Sequence, residues 1–112
     1  MLAKTARVTT ADDYRAAVRR GARFVAPNTV TYVRRPGGAT ARFGFIVSKA
    51  VGVAVTRNLV RRRLKAVCYA LQAQVEPGAE IVIRALPGTA VLSYEALRAE
   101  VSRSFTKAAV LS

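Results

Sequence analysis

The chain has 112 residues, with 19 Lys and Arg against 6 Asp and Glu, one cysteine and no histidine. That length closes one core and is expected to form one small domain over 1–112, while the lone Cys68 excludes an internal disulfide and the lack of histidine excludes most zinc sites and histidine general bases. No apolar run approaches the ~18 residues of a membrane span, and MLAKTARVTT lacks a signal-peptide apolar core, so a cytoplasmic protein with no membrane partner is expected.

TTADDYRAAVRRG is read as a first helix, with Thr10 as its cap, Asp13 as a capping-box partner and Gly21 placed to end it in a left-handed conformation. Tyr14 and Val18 share one face. The β-branched and aromatic run TVTYV within 24–35 predicts a strand; after the turn signal RRPGGAT, RFGFIV at 42–47 predicts a second, paired with the first as a hairpin. Residues 48–56 lead into a second helix over about 55–74, ended by Glu76, Pro77 and Gly78. Its Val60, Leu64, Val67, Cys68 and Leu71 have the spacing of an amphipathic stripe packed on a sheet, which makes Cys68 a small, inert core residue. EIVIRA at 80–85 is a third strand and LPGTAV a turn. Ser93 caps a last helix that buries Leu97, Val101, Phe105 and Ala108. The order α-β-β-α-β-α describes an α+β sandwich of three helices on a small sheet.

The positive charge is concentrated in the middle of the chain. Residues 14–75 hold thirteen Lys and Arg and no carboxylate, whereas the remainder balances six basic residues against six acidic ones. A compact unit with such an excess repels itself until a polyanion neutralises it, which points first to nucleic acid and second to an anionic membrane surface. The helix stretch TRNLVRRRLKAV carries the densest cluster. At 100° per residue Asn58, Arg61, Arg62 and Lys65 line the flank beside the apolar stripe, with Arg57 at the first-turn boundary and Arg63 on the opposite flank. Cations crowded at a helix N-terminus oppose its dipole, and no Glu stands at i,i+4 to relieve them. A phosphate backbone would, because the dipole, the free N–H groups and the guanidinium forks all favour the same anion. Charge alone does not say which RNA or DNA is bound, or whether the chain is a nuclease, a ribosomal protein or a DNA-binding structural protein.

FGFIVSKAVGVAVTRNLVRR, 43–62, resembles the signature of the bacterial ribonuclease P protein subunit, in which a strand, a Ser-Lys turn and an Arg-Asn-Arg helix follow in this order. The Tyr-led first helix, the strand with Tyr32 and the IVIRALP strand before a capped helix extend the likeness over almost the whole chain. The family usually has a third arginine at Leu59, another basic residue at Ala50, Gly-Asn at Gly52 and Val53, and a basic strand ending at Ala85 and Leu86, so fewer phosphate contacts are implied here.

The resemblance implies an α-β sandwich with a left-handed βαβ crossover, a hand the general rule would not give. It implies the small partner, in a 1:1 complex, of a catalytic RNA that hydrolyses the 5′ leader from precursor tRNA, with no obligate protein partner. The RNA would perform the chemistry; the protein would bind no cofactor by itself, and Mg²⁺ would be required by the RNA–protein holoenzyme. Arg57, Asn58, Arg61, Arg62, Arg63 and Lys65 would contact the catalytic RNA. Tyr14, Val18, Val30, Tyr32, Phe45, Val47 and Lys49 would form the leader site on the sheet face beside the first helix, where aromatic rings stack unpaired bases without reading sequence.

Overall fold

The computed structural model describes residues 2–111. Helix α1 (Ala11–Arg20) is followed by strands β1 (Ala22–Val25), β2 (Thr29–Arg34) and β3 (Arg42–Ile46), helix α2 (Ala54–Leu71), strand β4 (Glu80–Ala85) and helix α3 (Tyr94–Lys107). Single 3₁₀ turns at Lys49–Val51 and Gln72–Gln74 flank α2, and Pro87–Val91 leads toward α3. The α+β class and the three helices match the expectation. The strand pairing does not.

The sheet order is β1-β2-β4-β3, so β4 lies between the two strands expected to form a hairpin. β2 pairs antiparallel with β4, and β3 pairs parallel with β4 through the α2 crossover. The hairpin partner of β2 is instead β1, with Val25 opposite Val30. Two physical reasons account for the difference. The segment RRPGGAT is long and places Gly37 and Gly38 at positive φ, so it does not force tight pairing of its flanks. Ile81, Val82 and Ile83, each fully buried, belong in the centre of the sheet and not at its edge.

Alternation along the strands separates two cores. Val33, Phe43, Ile81, Ile83 and Ala85 face α2 and α3, and pack with Val60, Leu64, Leu97, Val101 and Phe105. Phe43 and Phe105 stack with ring centroids 6.4 Å apart. On the other face Val30, Tyr32 and Val82 meet Ala17 of α1 and Val8 of the N-terminal segment. That segment extends the sheet past β3, where the Val8 N–H donates to the Phe43 carbonyl at 2.8 Å. Cys68 is fully buried and its thiol pKa is raised by burial, as an inert core residue requires.

Two buried carboxylates join the helices to the sheet. Glu100 of α3 accepts from the Asn28 N–H at 3.2 Å, Asn28 Nδ2 at 3.0 Å and the Thr29 hydroxyl at 2.6 Å, fixing α3 under the β1–β2 turn. Glu80 stands opposite both Arg34 of β2 and Arg42 of β3 in the register. Arg34 Nη2 lies 2.7 Å from Glu80 Oε1, Arg42 Nη1 3.4 Å from Oε2, and Arg42 Nη2 donates to Asp13 of α1 at 2.8 Å. This row fastens α1 across three strands.

The α1 caps differ in detail from expectation. Thr10 Oγ1 accepts from the Asp13 N–H at 3.1 Å as expected, but the Asp13 carboxylate turns toward Arg42 and Arg34. Gly21 is extended, with φ −71° and ψ 153°, and not left-handed. Its need for glycine is steric, since a Cβ there would lie 2.4 Å from the Ala17 carbonyl oxygen.

Replacing Glu80 by Gln removes the buried anion between Arg34 and Arg42 and leaves them only the part-exposed Asp13, and should cost about 3 kcal/mol in chemical denaturation. The Asp13 pKa is lowered from its usual 3.8, chiefly by the Arg42 hydrogen bond and then by that from Thr10. Because the folded value is the lower one, the stabilisation is complete above the unfolded pKa and is lost as pH falls below 3.8. The Asp13→Asn variant should accordingly lose less stability than the parent between pH 5 and pH 3 in acid titrations of unfolding (a range set at about the usual carboxylate pKa).

Candidate nucleic-acid interface

Helix α2 begins one residue earlier than expected, at Ala54, and its last turn tightens into the 3₁₀ turn at Gln72–Gln74. Val60, Leu64, Val67, Cys68 and Leu71 are buried against the sheet, which fixes the rotation of the helix and turns the basic flank outward. No side chain among the described residues caps its N-terminus, and no acidic residue stands in its first turn. Asn58, Arg62 and Lys65 are exposed, with Arg57 and Arg61 half-buried. Arg61 is held in place: Nη1 donates to Asn58 Oδ1 at 2.8 Å and Nη2 to the Val47 carbonyl at 3.4 Å. Arg57 Nε is buried with no hydrogen-bond partner among the described residues.

Arg63 points to the other flank. Its Nη1 donates to the Leu92 carbonyl at 2.7 Å, which ties α2 to the approach to α3. It therefore stands apart from the ridge formed by the other five residues.

A second surface lies where α1 crosses the sheet. Tyr14, Arg15, Val18 and Arg19 of α1 face Ile46 of β3 and Arg84 of β4 around a recess of about 240 Å³. Tyr14 also borders a 260 Å³ recess with Arg7, Phe45, Arg61 and Lys65, so one ring joins the α1 cleft to the α2 ridge. The ring is placed by β3, since the Tyr14 hydroxyl accepts from the Phe45 N–H at 3.1 Å. Gly44 makes room for it: a Cβ at that position would lie 2.8 Å from the Tyr14 ring atoms.

Of the expected leader residues, Tyr14, Val18, Val30 and Tyr32 share the α1 face. Val30 and Tyr32 are each only 4% exposed and form its floor. Arg84 covers the Tyr32 ring at 5.8 Å from its centroid, so this tyrosine supports a cation and does not present an open face. Phe45 and Val47 belong to the opposite core, because strand alternation places Gly44 and Ile46 toward α1 and turns their neighbours away. Phe45 reaches the surface only at the recess beside Arg61. Lys49 is exposed in the turn before α2 and lines neither recess.

The Ribonuclease P family model matches residues 2–109. The chain belongs to the ribonuclease P protein family. It is 50% identical over 109 residues to the ribonuclease P protein component of Clavibacter michiganensis subsp. michiganensis, covering 96% of each chain. With that of Mycobacterium avium it shares 40% identity over 108 residues, 92% of this chain and 91% of the relative. The fold matches the RNase P protein of Staphylococcus aureus with a TM-score of 0.85 at 19% identity, over 97% of this chain and 100% of the other. For the RNase P protein from Thermotoga maritima the values are 0.79 and 18%, over 87% and 92%.

Sequence reasoning missed Arg15, Arg19, Ile46 and Arg84 on the cleft. The signal for Arg84 was present in EIVIRA, whose Glu80, Val82 and Arg84 alternate with Ile81, Ile83 and Ala85. Without the position of β4 in the sheet, that alternation did not say which helix each face met. Leu59 is half-buried on the Arg63 flank, one turn before it, and the Arg63 bond to Leu92 leaves that guanidinium committed to the fold.

Gly44→Ala should destabilise the ribonuclease P protein by about 1–3 kcal/mol through overpacking against Tyr14. In a Tyr14→Ala background the same substitution should cost much less, a coupling that a double-mutant denaturation cycle measures directly.

Proposed function

We propose that this chain is the protein subunit of a ribonuclease P ribonucleoprotein, binding the catalytic RNA through α2 and the single-stranded 5′ leader of precursor tRNA through the α1 cleft. The carrying observation is the α2 ridge: Arg57, Asn58, Arg61, Arg62 and Lys65 on one flank, no carboxylate among residues 14–75, and no acidic residue or side-chain cap in the first turn of α2 among the described residues. Phosphates laid along the ridge meet the positive end of the helix dipole, free backbone N–H groups and the Arg61 guanidinium held by Asn58 and Val47. Family membership supports the RNA partner, and the relatives' being ribonuclease P protein components supports the subunit role.

The cleft suits a flexible strand. Tyr14 offers a ring placed by Gly44, Val18 and Ile46 an apolar wall, and Arg15, Arg19 and Arg84 positive charge around the opening. Aromatic and aliphatic surface ringed by cations holds unpaired nucleotides with little demand on sequence. Tyr14 bordering both recesses makes leader and catalytic RNA neighbours on one protein surface.

The hydrolytic chemistry belongs to the RNA in this reading. Phosphodiester cleavage by a protein commonly uses clustered carboxylates on metal ions. Here Asp12, Asp13, Glu76 and Glu80 pair with arginines, and Glu100 accepts from Asn28 and Thr29. The commitment of these five carboxylates within the fold supports a reading in which Mg²⁺ enters with the RNA. The location is cytoplasmic in this reading; among the described residues no helix is long and apolar enough to cross a membrane.

Reconstitution with a bacterial ribonuclease P RNA tests the assignment. The protein by itself should cleave nothing, yet should restore leader removal at Mg²⁺ concentrations too low for the RNA alone; unchanged cleavage on adding protein would reject the role. Arg61→Ala should weaken assembly with the RNA and reduce the log–log salt slope by about one unit per lost phosphate contact.

A further inference from the structure

The outward side of α2 changes character after Lys65. Residues 66–75 contain no charge, and the exposed positions after Lys65 are Ala66, Tyr69 and Ala70 on the helix, followed by Ala73 and Gln74 in the 3₁₀ turn. The solvent side of a helix is normally polar, and a Glu or Lys at these positions would be the ordinary choice. Tyr69 instead leaves 54% of its surface exposed. Together with Tyr94 at the start of α3, it borders a recess of about 410 Å³ whose floor includes Ala66 and Ala70 and whose rim carries Arg62 and Lys65. Arg7, from the N-terminal segment, adds a third cation.

We infer that this recess receives one unpaired nucleotide of the catalytic RNA, its base on Tyr69 and its phosphate on Arg62 and Lys65. The inference rests on α2 being the RNA-binding surface and extends that surface by about a turn and a half. Lys65 and Tyr69 are four residues apart and Arg62 and Tyr69 seven, so cations and ring occupy one continuous strip of the helix. The volume is near the lower end of the roughly 300–1,000 Å³ that accommodates small organic groups. That is enough for a nucleotide and too little for a duplex. The two alanines provide the space, since longer side chains on the same turns would fill it. Charge selects the occupant: three cations and no carboxylate line the recess, which favours a phosphate-bearing group over an uncharged apolar peptide. A base over tyrosine, with cations on its phosphate, satisfies both the apolar floor and the basic rim.

The test uses the full chain assembled with ribonuclease P RNA. Binding constants are measured across a salt series, and the RNA is footprinted by 2′-hydroxyl acylation, with and without protein. Tyr69→Ala should weaken assembly by roughly five- to hundredfold while leaving the salt slope unchanged, because a lost stack releases no counterions. It should also unmask one unpaired nucleotide that the parent protects. Tyr69→Phe should retain both affinity and protection, and Ala70→Leu, which fills the recess without altering the ring, should lose both. Parental affinity and footprint for Tyr69→Ala and Ala70→Leu, with Arg61→Ala still weakened, would overturn the pocket and leave the ridge standing; a protein partner would then be the occupant to seek. Parental behaviour of Arg61→Ala as well would reject the α2 interface itself.

Discussion

Glu80 sits with 1% of its side chain exposed between arginines supplied by the strands on either side, and Asp13 reaches the same two arginines from the helix above. A lone carboxylate at that depth would carry a heavy desolvation penalty, and two half-exposed guanidinium groups side by side would repel. Together they form an alternating row that can close only when β2, β4 and β3 lie in this order with Glu80 opposite Arg34 and Arg42. The row thereby specifies the sheet register and the seat of α1 at once. With α1 seated, Tyr14 lies over Gly44, and the cleft exists.

The apolar and polar parts of the molecule divide the work by face. Ile81, Ile83, Phe43 and Phe105 build the larger core, with α2 and α3 on one side of the sheet. The other side is covered by a ten-residue helix and by Val8 of the N-terminal segment, and the smaller cluster beneath them leaves Ile46, Val18 and Arg84 at the surface. Partial cover is what creates a groove. A longer first helix would bury the sheet more completely and leave no opening at its edge.

Much of this was legible in the residues because local rules determined it. Thr10 and Ser93 cap their helices as their spacing indicated, and the stripe from Val60 to Leu71 is buried as its periodicity required. The rotation of α2, and with it the separation of Arg63 from the remaining basic residues, followed from the same stripe. What failed was non-local. Nothing within TVTYV or RFGFIV says that a strand more than thirty residues later will enter between them. That error carried into the site, because strand order decides which helix each alternating face meets, and so Phe45 and Val47 were assigned to the wrong side. Arg84 was overlooked for the same reason. The likeness to ribonuclease P proteins pointed to α2 and to the sheet face beside α1, while which side chains line the cleft followed only from the strand order.

The unbalanced α2 terminus makes ionic strength act with opposite signs on two equilibria. Counterions that gather around Arg57, Arg61, Arg62 and Lys65 relieve their mutual repulsion and favour the folded chain. In the proposed interface the same counterions would be expelled by an arriving phosphate backbone, which disfavours the complex. Salt that relieves the self-repulsion of the isolated chain is thus the salt that would weaken the proposed contact with RNA.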